Sequence, residues 1–376
     1  MNWFREGRRI AWPRVFLLVF AIAVAMSLGA GAAYTFGPFE PFNPVWEGTS
    51  EFRTAIVLDE DAPHHGEQLL TATRYEDIPG TGTVAFVIAP DRPYSSEDAA
   101  AVAHFVDRGG TLVLMDNFGN HTNPLLTDLG ADARLDGHVL RDERFFYRGP
   151  TMPIATTVRN HSWTNDVDQL TLNVATAIEA DNATMLIGTS ETGYLGGLAD
   201  EIDEEDDLQV YPVVTIERIG EGHVVLISDP SIAVNQMIDE PDNRAFLGAL
   251  VDDADTVVYD LSHSGSVPPI QLVLITIRST IVLQLVLGLV GIVLVILATF
   301  EGGRDRDVVT VLPHSLRARL PPWLYQGPVP DLGMTYEDRV AYVSAQYPEW
   351  TTEQVEHVVR GSEPADDDEA TDNPVL

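Results

Sequence analysis

The stretch VDRGGTLVLMDNFGN, residues 106–120, decides the fold. It closes one element, turns on a glycine pair, runs a short apolar strand and ends in a polar loop. Upstream, Ser95 or Ser96 can cap a helix, and Glu97 and Asp98 suit the positive end of its dipole. Ala99, Val102, Phe105 and Val106 then fall on one face. Gly109 fits the left-handed position that follows a last helical turn. The spacing predicts a helix over 96–108 between strands at VAFVIA (84–89) and TLVLM (111–115). Such a βαβ unit implies parallel strands joined by a right-handed crossover.

Outward from this unit, RTAIVL (53–58) and TMLIGT (184–189) read as further buried strands. VVTIERIGEGHVVLISDP (213–230) reads as a hairpin turned at Gly220-Glu221-Gly222. Asp229 can cap a helix that starts at Pro230, and another helix follows over about 241–252. ADEIDEEDD (199–207) carries too many like charges to pack and reads as a solvated loop. The predicted domain is α/β, with a mostly parallel sheet flanked by helices and room for an antiparallel edge.

The chain carries 57 acidic and 22 basic residues, a formal charge of −35, and every basic residue is Arg. This balance resembles the proteomes of extremely halophilic archaea, where dense carboxylates stay hydrated and concentrated salt screens their repulsion. It offers no basic stripe for phosphates, so nucleic acid is excluded as a partner. The absence of Cys excludes disulfides, thiolate metal sites and Cys nucleophiles.

Residues 15–36 hold no charge and are long enough to span a bilayer. Arg5, Arg8, Arg9 and Arg14 precede them and keep residues 1–14 in the cytoplasm. Ala30-Gly31-Ala32 leaves open a cleaved signal peptide instead. A second apolar run, 269–300, is longer than a span requires. It is expected to form one transmembrane helix with an outer extension, Arg278 marking the outer interface. Arg304, Arg306, Arg317 and Arg319 follow on the cytoplasmic side. Residues 37–268 are therefore expected outside the cell membrane and both termini inside. The sequons at Asn120, Asn160 and Asn182 all fall in that outer domain and are glycosylation candidates. On the cytoplasmic side, 301–334 reads as a Pro/Arg-rich linker. Residues 335–361 read as a helical hairpin capped by Thr335 and Thr351, with Val340, Val343 and Tyr347 facing Val355, Val358 and Val359. Residues 362–376 read as a disordered acidic tail.

Two carboxylates stand out. Asp116 and Asp229 each end a predicted strand, and ligands of open α/β sheets bind beyond the carboxyl ends of strands. With Asn117 and Asn235 nearby they are the candidate ligand crevice, able to hold a cation or to act as an acid–base pair. The competing reading is that Asp229 is a helix cap and Asp116 a turn former. Asp59, Asp61, His64, His65 and Glu67 have metal-ligand residue types without a closed zinc spacing, so His64, His65 and Asp61 are weak metal candidates only. His121 and His161 are expected in exposed polar loops. No catalytic motif and no cofactor-binding motif is found.

Residues 88–120 and 220–251 resemble the haloarchaeal domain-of-unknown-function 4350 family. More distantly they resemble the class I glutamine-amidotransferase-like fold of auxiliary subunits of ABC transporters and gliding machinery. The resemblance covers about 50–255 and rests on helix–GG–strand and strand–DP–helix patterns. It implies that fold and an auxiliary role beside a transporter or a MoxR-type ATPase. In amidotransferases a Cys nucleophile follows the strand equivalent to TLVLM; here Asp116 stands near that place. The expected function is a membrane-anchored, non-catalytic binding protein with protein partners in the membrane or cytoplasm. A carboxylate- or metal-dependent hydrolase and an envelope signalling receptor are the alternatives.

Overall fold

The computed structural model describes residues 5–6, 9–10, 12–59, 61–198, 202, 207–301 and 335–360. Most of the acidic run 199–207, the linker beyond Glu301 and the acidic tail lie outside them. The chain divides into two compact units, 1–281 and 282–376.

The first unit is built on an eight-stranded sheet. Its strands in chain order are β1 (His65–Leu69), β2 (Thr83–Ile88), β3 (Thr111–Met115), β4 (Thr157–Val158), β5 (Thr184–Gly188), β6 (Pro212–Ile219), β7 (Gly222–Ile227) and β8 (Thr256–Asp260). They lie side by side as β1-β8-β2-β3-β7-β6-β5-β4. The first five are parallel, and β6, β5 and β4 add an antiparallel edge. The mixed α/β architecture with a largely parallel sheet is the one predicted.

Helix α1 (Trp12–Ala33) precedes the sheet. Helix α2 (Ser96–Asp107) starts at Ser95, whose hydroxyl accepts from Asp98 N. Gly109 follows it at φ +96°, so the glycine pair turns the chain into β3 as read. Alternate residues along the strands enter two separate cores, as a sheet covered on both faces demands. Ala85, Val87, Leu112, Leu114 and Val258 pack under Val102, Phe105 and Val106 of α2 and under α3 (Thr122–Leu129). Phe86, Val113, Ile227 and Tyr259 face the other way, against Phe52, Ile56 and α4 (Asn243–Ala249). Burying a side chain of this size contributes about 1.5–3 kcal/mol.

Several expectations need correction. RTAIVL is not a strand: Ser50–Phe52 is a helical turn and Arg53–Val57 continues it as a π-helix. A short apolar run has no period that separates a buried strand from a buried helix. Here the segment packs as helix, with Phe52, Ile56 and Val57 in the core and the Phe52 ring edge-on to Phe86 at 5.0 Å. The sheet positions went to HGEQL and TVVYD, which the sequence reading passed over. The segment 130–198 carries short paired strands, including Val139–Asp142 with Gly193–Gly196, where only 184–189 had been expected.

The apolar run 269–300 is interrupted. Helix α5 (Pro269–Ser279) stops at Thr280, which is extended, and α6 (Ile281–Glu301) follows. Among the described residues no single helix is long and apolar enough to cross a membrane; α5 and α6 have the length and composition of a span only when taken together, and they bend by 101° between them. In the second unit, α7 (Tyr336–Gln346) and α8 (Thr352–Arg360) form the hairpin. Thr335 and Asp338 cap α7 reciprocally, and Thr351 N donates to Gln354 Oε1. Val343, Val355 and Val359 pack together with Val340. Tyr347 and Val358 are exposed instead, and Tyr347 stacks on Trp350.

Candidate functional site

Asp116 follows β3 and Asp229 stands two residues beyond β7. The two strands are neighbours, with Met115 opposite Ile227, so both carboxylates lie beyond the carboxyl ends of adjacent interior strands. There the residues 173–176 lie across them. Asp229 is fully buried. Its Oδ1 accepts from Ser231 N at 2.8 Å and its Oδ2 from Asn173 N. Asn117 Nδ2 donates to Val174 O at 3.1 Å, and Thr176 N donates to Ser228 O. Val174 holds this position at φ +58°, a strained conformation for a β-branched residue. Asp116 accepts from Asn117 N at 2.8 Å and from the Thr122 hydroxyl at 2.7 Å. Burial raises the Asp116 carboxyl above its usual range and pushes Asp229 up to about 6, against the bonds that lower both. Asp229 is thus a cap whose second oxygen also anchors the covering segment.

Asn235 does not join them. Its side-chain amide donates to Asn43 O and Val45 O, and its oxygen accepts from Glu51 N at 2.9 Å. It clips the segment after α1 to the chain beyond β7.

A second polar cluster lies at the end of β8, in the stretch DLSH that sequence reading missed with its strand. Asp260 Oδ2 accepts from Tyr75 Oη at 3.1 Å and Tyr94 Oη at 3.3 Å, and Oδ1 accepts from Ser262 N at 2.7 Å. His263 stacks on Tyr94 with centroids 3.6 Å apart. Its Nδ1 lies 2.8 Å from the Ser262 hydroxyl and its Nε2 3.6 Å from Asp98 Oδ2. Burial raises Asp260 and lowers His263. The cluster is internally satisfied and ties β8 to the loop before α2.

The acidic and histidine residues around β1 behave differently. No group of three or more His, Cys, Asp or Glu is arranged to hold a metal among the described residues. Instead Asp59, His64, His65 and Glu67 line a cavity of about 500 Å³, together with Gly66, Gln68, Arg74 and Arg278. Asp61 does not line it. Arg74 pairs with Glu67 at 3.3 Å and stands 3.4 Å from Asp77. Yet His64 Nε2 and Gln68 Oε1 are buried without a hydrogen-bond partner, while Arg74 Nε makes no hydrogen bond but faces Asp77 Oδ2 at 3.4 Å. Buried polar atoms are nearly always paired, so the two orphans set this cavity apart from the satisfied clusters above.

The side chains of Asn120, Asn160 and Asn182 are exposed. His121 and His161 are half-buried rather than exposed, because His121 precedes α3 and His161 accepts from Trp163 N to cap a short 3-10 turn.

A family model described as a domain of unknown function, DUF4350, matches residues 41–251. No curated protein matches the chain. Among solved structures, the mmIFT52 N-terminal domain aligns at 11% identity and TM-score 0.38, covering 48% of this chain and 78% of that one. A putative thua-like protein from Bacteroides uniformis aligns at 13% and 0.31, covering 48% and 73%. The polyextremophilic beta-galactosidase from the Antarctic haloarchaeon Halorubrum lacusprofundi aligns at 16% and 0.31, covering 49% of this chain and 25% of that enzyme. Likenesses at these scores carry no functional content.

Proposed function

The chain belongs to the DUF4350 family, and we propose that it is a membrane-anchored, non-catalytic binding protein whose α/β domain works outside the membrane. The observation that carries this reading is the pair of contrasting sites. The strand-end crevice, where an α/β enzyme would do chemistry, is filled by 173–176, which takes up one Asp229 oxygen and the Asn117 amide, while Ser231 N holds the other Asp229 oxygen. The cavity beside β1 is open and holds unpaired polar atoms. This favours binding over carboxylate-dependent hydrolysis.

Anchoring is supported by α1 and α6, whose apolar side chains are exposed. Phe16, Leu17, Val19 and Phe20 are so on the first, and Ile281, Leu285, Leu289 and Ile292 on the second. The chain also enters and leaves the domain at one place. Gln271 Nε2 donates to Ala33 O at 3.3 Å, and Glu40 Oε1 accepts from Ser266 N. In this reading α5 and α6 together make the membrane segment, with α5 on its outer side. The archaeal, high-salt setting and an auxiliary role beside a transporter or ATPase belong to the same proposal and rest on the charge and the resemblance.

The test is affinity purification of the tagged full chain from its own membranes in high salt. Reproducible recovery of a partner, unchanged in Asp116→Asn and Asp229→Asn variants, supports a binding protein. A partnerless chain with a hydrolytic activity lost in those variants refutes it.

A further inference from the structure

β1 is an edge of the sheet, paired on one side only, with β8. His65 N donates to Asp255 O and Leu261 N donates to Leu69 O, so His65, Glu67 and Leu69 face β8 in the register of the pair. Main-chain groups along a strand point alternately to its two sides. Gly66 and Gln68 therefore turn their N–H and C=O away from β8. Both line the cavity, and Gly66 has only its main chain to present there.

We propose that this edge docks an extended segment of a partner protein, which adds to β1 as a further strand. The proposal rests on the binding reading above and names the occupant of that site. The unpaired groups select a peptide. Gln68 Oε1 needs a donor, and the outward N–H and C=O groups of Gly66 and Gln68 call for both an acceptor and a donor along the strand. A metal ion supplies no acceptor and an anion no donor. A peptide main chain supplies both at strand spacing, which is the basis of recognition by strand addition. Charge selects the kind of partner. Two copies at a formal charge of −35 offer each other no charge complementarity, which a basic segment does. Glu67 on the cavity is already paired with Arg74, so a basic side chain of the segment meets Asp59 there.

The main-chain nature of the contact gives a clean test. Gln68→Pro removes the outward N–H and leaves the β8 ladder intact, because that N–H is not part of it. Gln68→Ala removes only the side-chain oxygen. A benzophenone side chain introduced at Ser279, across the cavity, reports the occupant by photo-crosslinking of the full chain in its own membranes. The expected result is a crosslink to one short segment of a different protein. Its yield falls at least tenfold in Gln68→Pro and less than threefold in Gln68→Ala. Equal losses in both variants would mean a ligand held by side chains. That result, crosslinks to lipid or to a second copy, or no crosslink at all, overturns the proposal. Should Gln68→Pro not accumulate, hydrogen exchange of the unaltered chain decides. The Gly66 and Gln68 amides exchange at least tenfold more slowly in the co-purified complex than alone, with His65 and Glu67 unchanged; equal exchange refutes it. Whether the chain sediments with membranes is read separately, so failure of the anchoring reading is distinguishable from failure of strand addition.

Discussion

Replacing Asp229 with Asn isolates the cost of the buried carboxylate. Asp229 is pushed up to about 6 from an ordinary 3.8, chiefly by burial. A carboxyl with a raised folded value binds its proton first in the fold. Its contribution to stability is therefore full below about 3.8 and is lost as pH rises through about 6. The whole contribution is on the order of 3 kcal/mol, of which about 1.4 kcal/mol falls between pH 7 and pH 5. Asn has no charge to desolvate, but offers one acceptor to two donors, Ser231 N and Asn173 N. Leaving one of them unpaired costs about 1–3 kcal/mol. Those effects nearly cancel, so the Asp229→Asn chain should lie within about 2 kcal/mol of wild type at pH 7. It should then lose about 1.4 kcal/mol relative to wild type on going to pH 5. Urea unfolding of the full chain in detergent at constant high salt measures this, since the other carboxylates titrate alike in both chains and drop out of the difference. Parallel stability curves from pH 7 to pH 5 would refute the reasoning. So would a penalty well above 3 kcal/mol at pH 7, which would make the bonds to 173–176 dominant over the desolvation.

Gly66→Ala sets a Cβ into the Val57 carbonyl oxygen, so the π-turn or β1 must shift. A loss of about 1–3 kcal/mol in urea unfolding is expected, and an unchanged midpoint would show that the turn gives way freely. Asn235→Ala removes the acceptor for Glu51 N and the donor to Val45 O. It should cost on the order of 2–3 kcal/mol and speed exchange of the Glu51 amide, and unaltered exchange would contradict its role as a clip. Tyr75→Phe leaves Tyr94 as the one phenol on Asp260 Oδ2. It should cost about 1–2 kcal/mol; a neutral effect would mean that the Asp260 network does not hold β8 in place.

The βαβ unit was legible because every local signal agreed. The Ser95 cap, the apolar face of α2, the glycine pair and the run TLVLM all point to one geometry. The hairpin 212–227 was legible for the same reason: Gly220 sits at φ +56° in a tight turn between two β-branched runs. RTAIVL was not legible, since its six residues carry no period and its state shows only in the core packing of Phe52, Ile56 and Val57. HGEQL was hidden for the opposite reason. An edge strand beside a polar cavity needs neither an apolar run nor clean alternation, so β1 looked like a metal-ligand cluster in a loop. TVVYD shows the apolar run of a buried strand, yet its place between β1 and β2 depends on a crossover from β7 that no local pattern encodes.

The candidate site shows the same divide. That Asp116 and Asp229 each follow a strand could be read from the sequence; that the two strands are neighbours and that 173–176 lies across them could not. The segment LTLNVA lacks any motif, and its position depends on an Asn173 amide that happens to find Asp229 Oδ2. The stretch that presents unpaired groups was read for its side-chain types alone. Asp59, Asp61, His64, His65 and Glu67 were noted as metal-ligand types, with His64, His65 and Asp61 as weak candidates, while Gly66 and Gln68 beside them went unremarked. Yet in a strand the side chains of a ligand set leave the two faces of the sheet, whereas the hydrogen-bonding capacity leaves through its edge. Once HGEQL is a strand at the rim of a sheet, its most reactive chemistry is no longer imidazole or carboxylate. It is the main chain of Gly66 and Gln68, which any sequence supplies and no residue type announces.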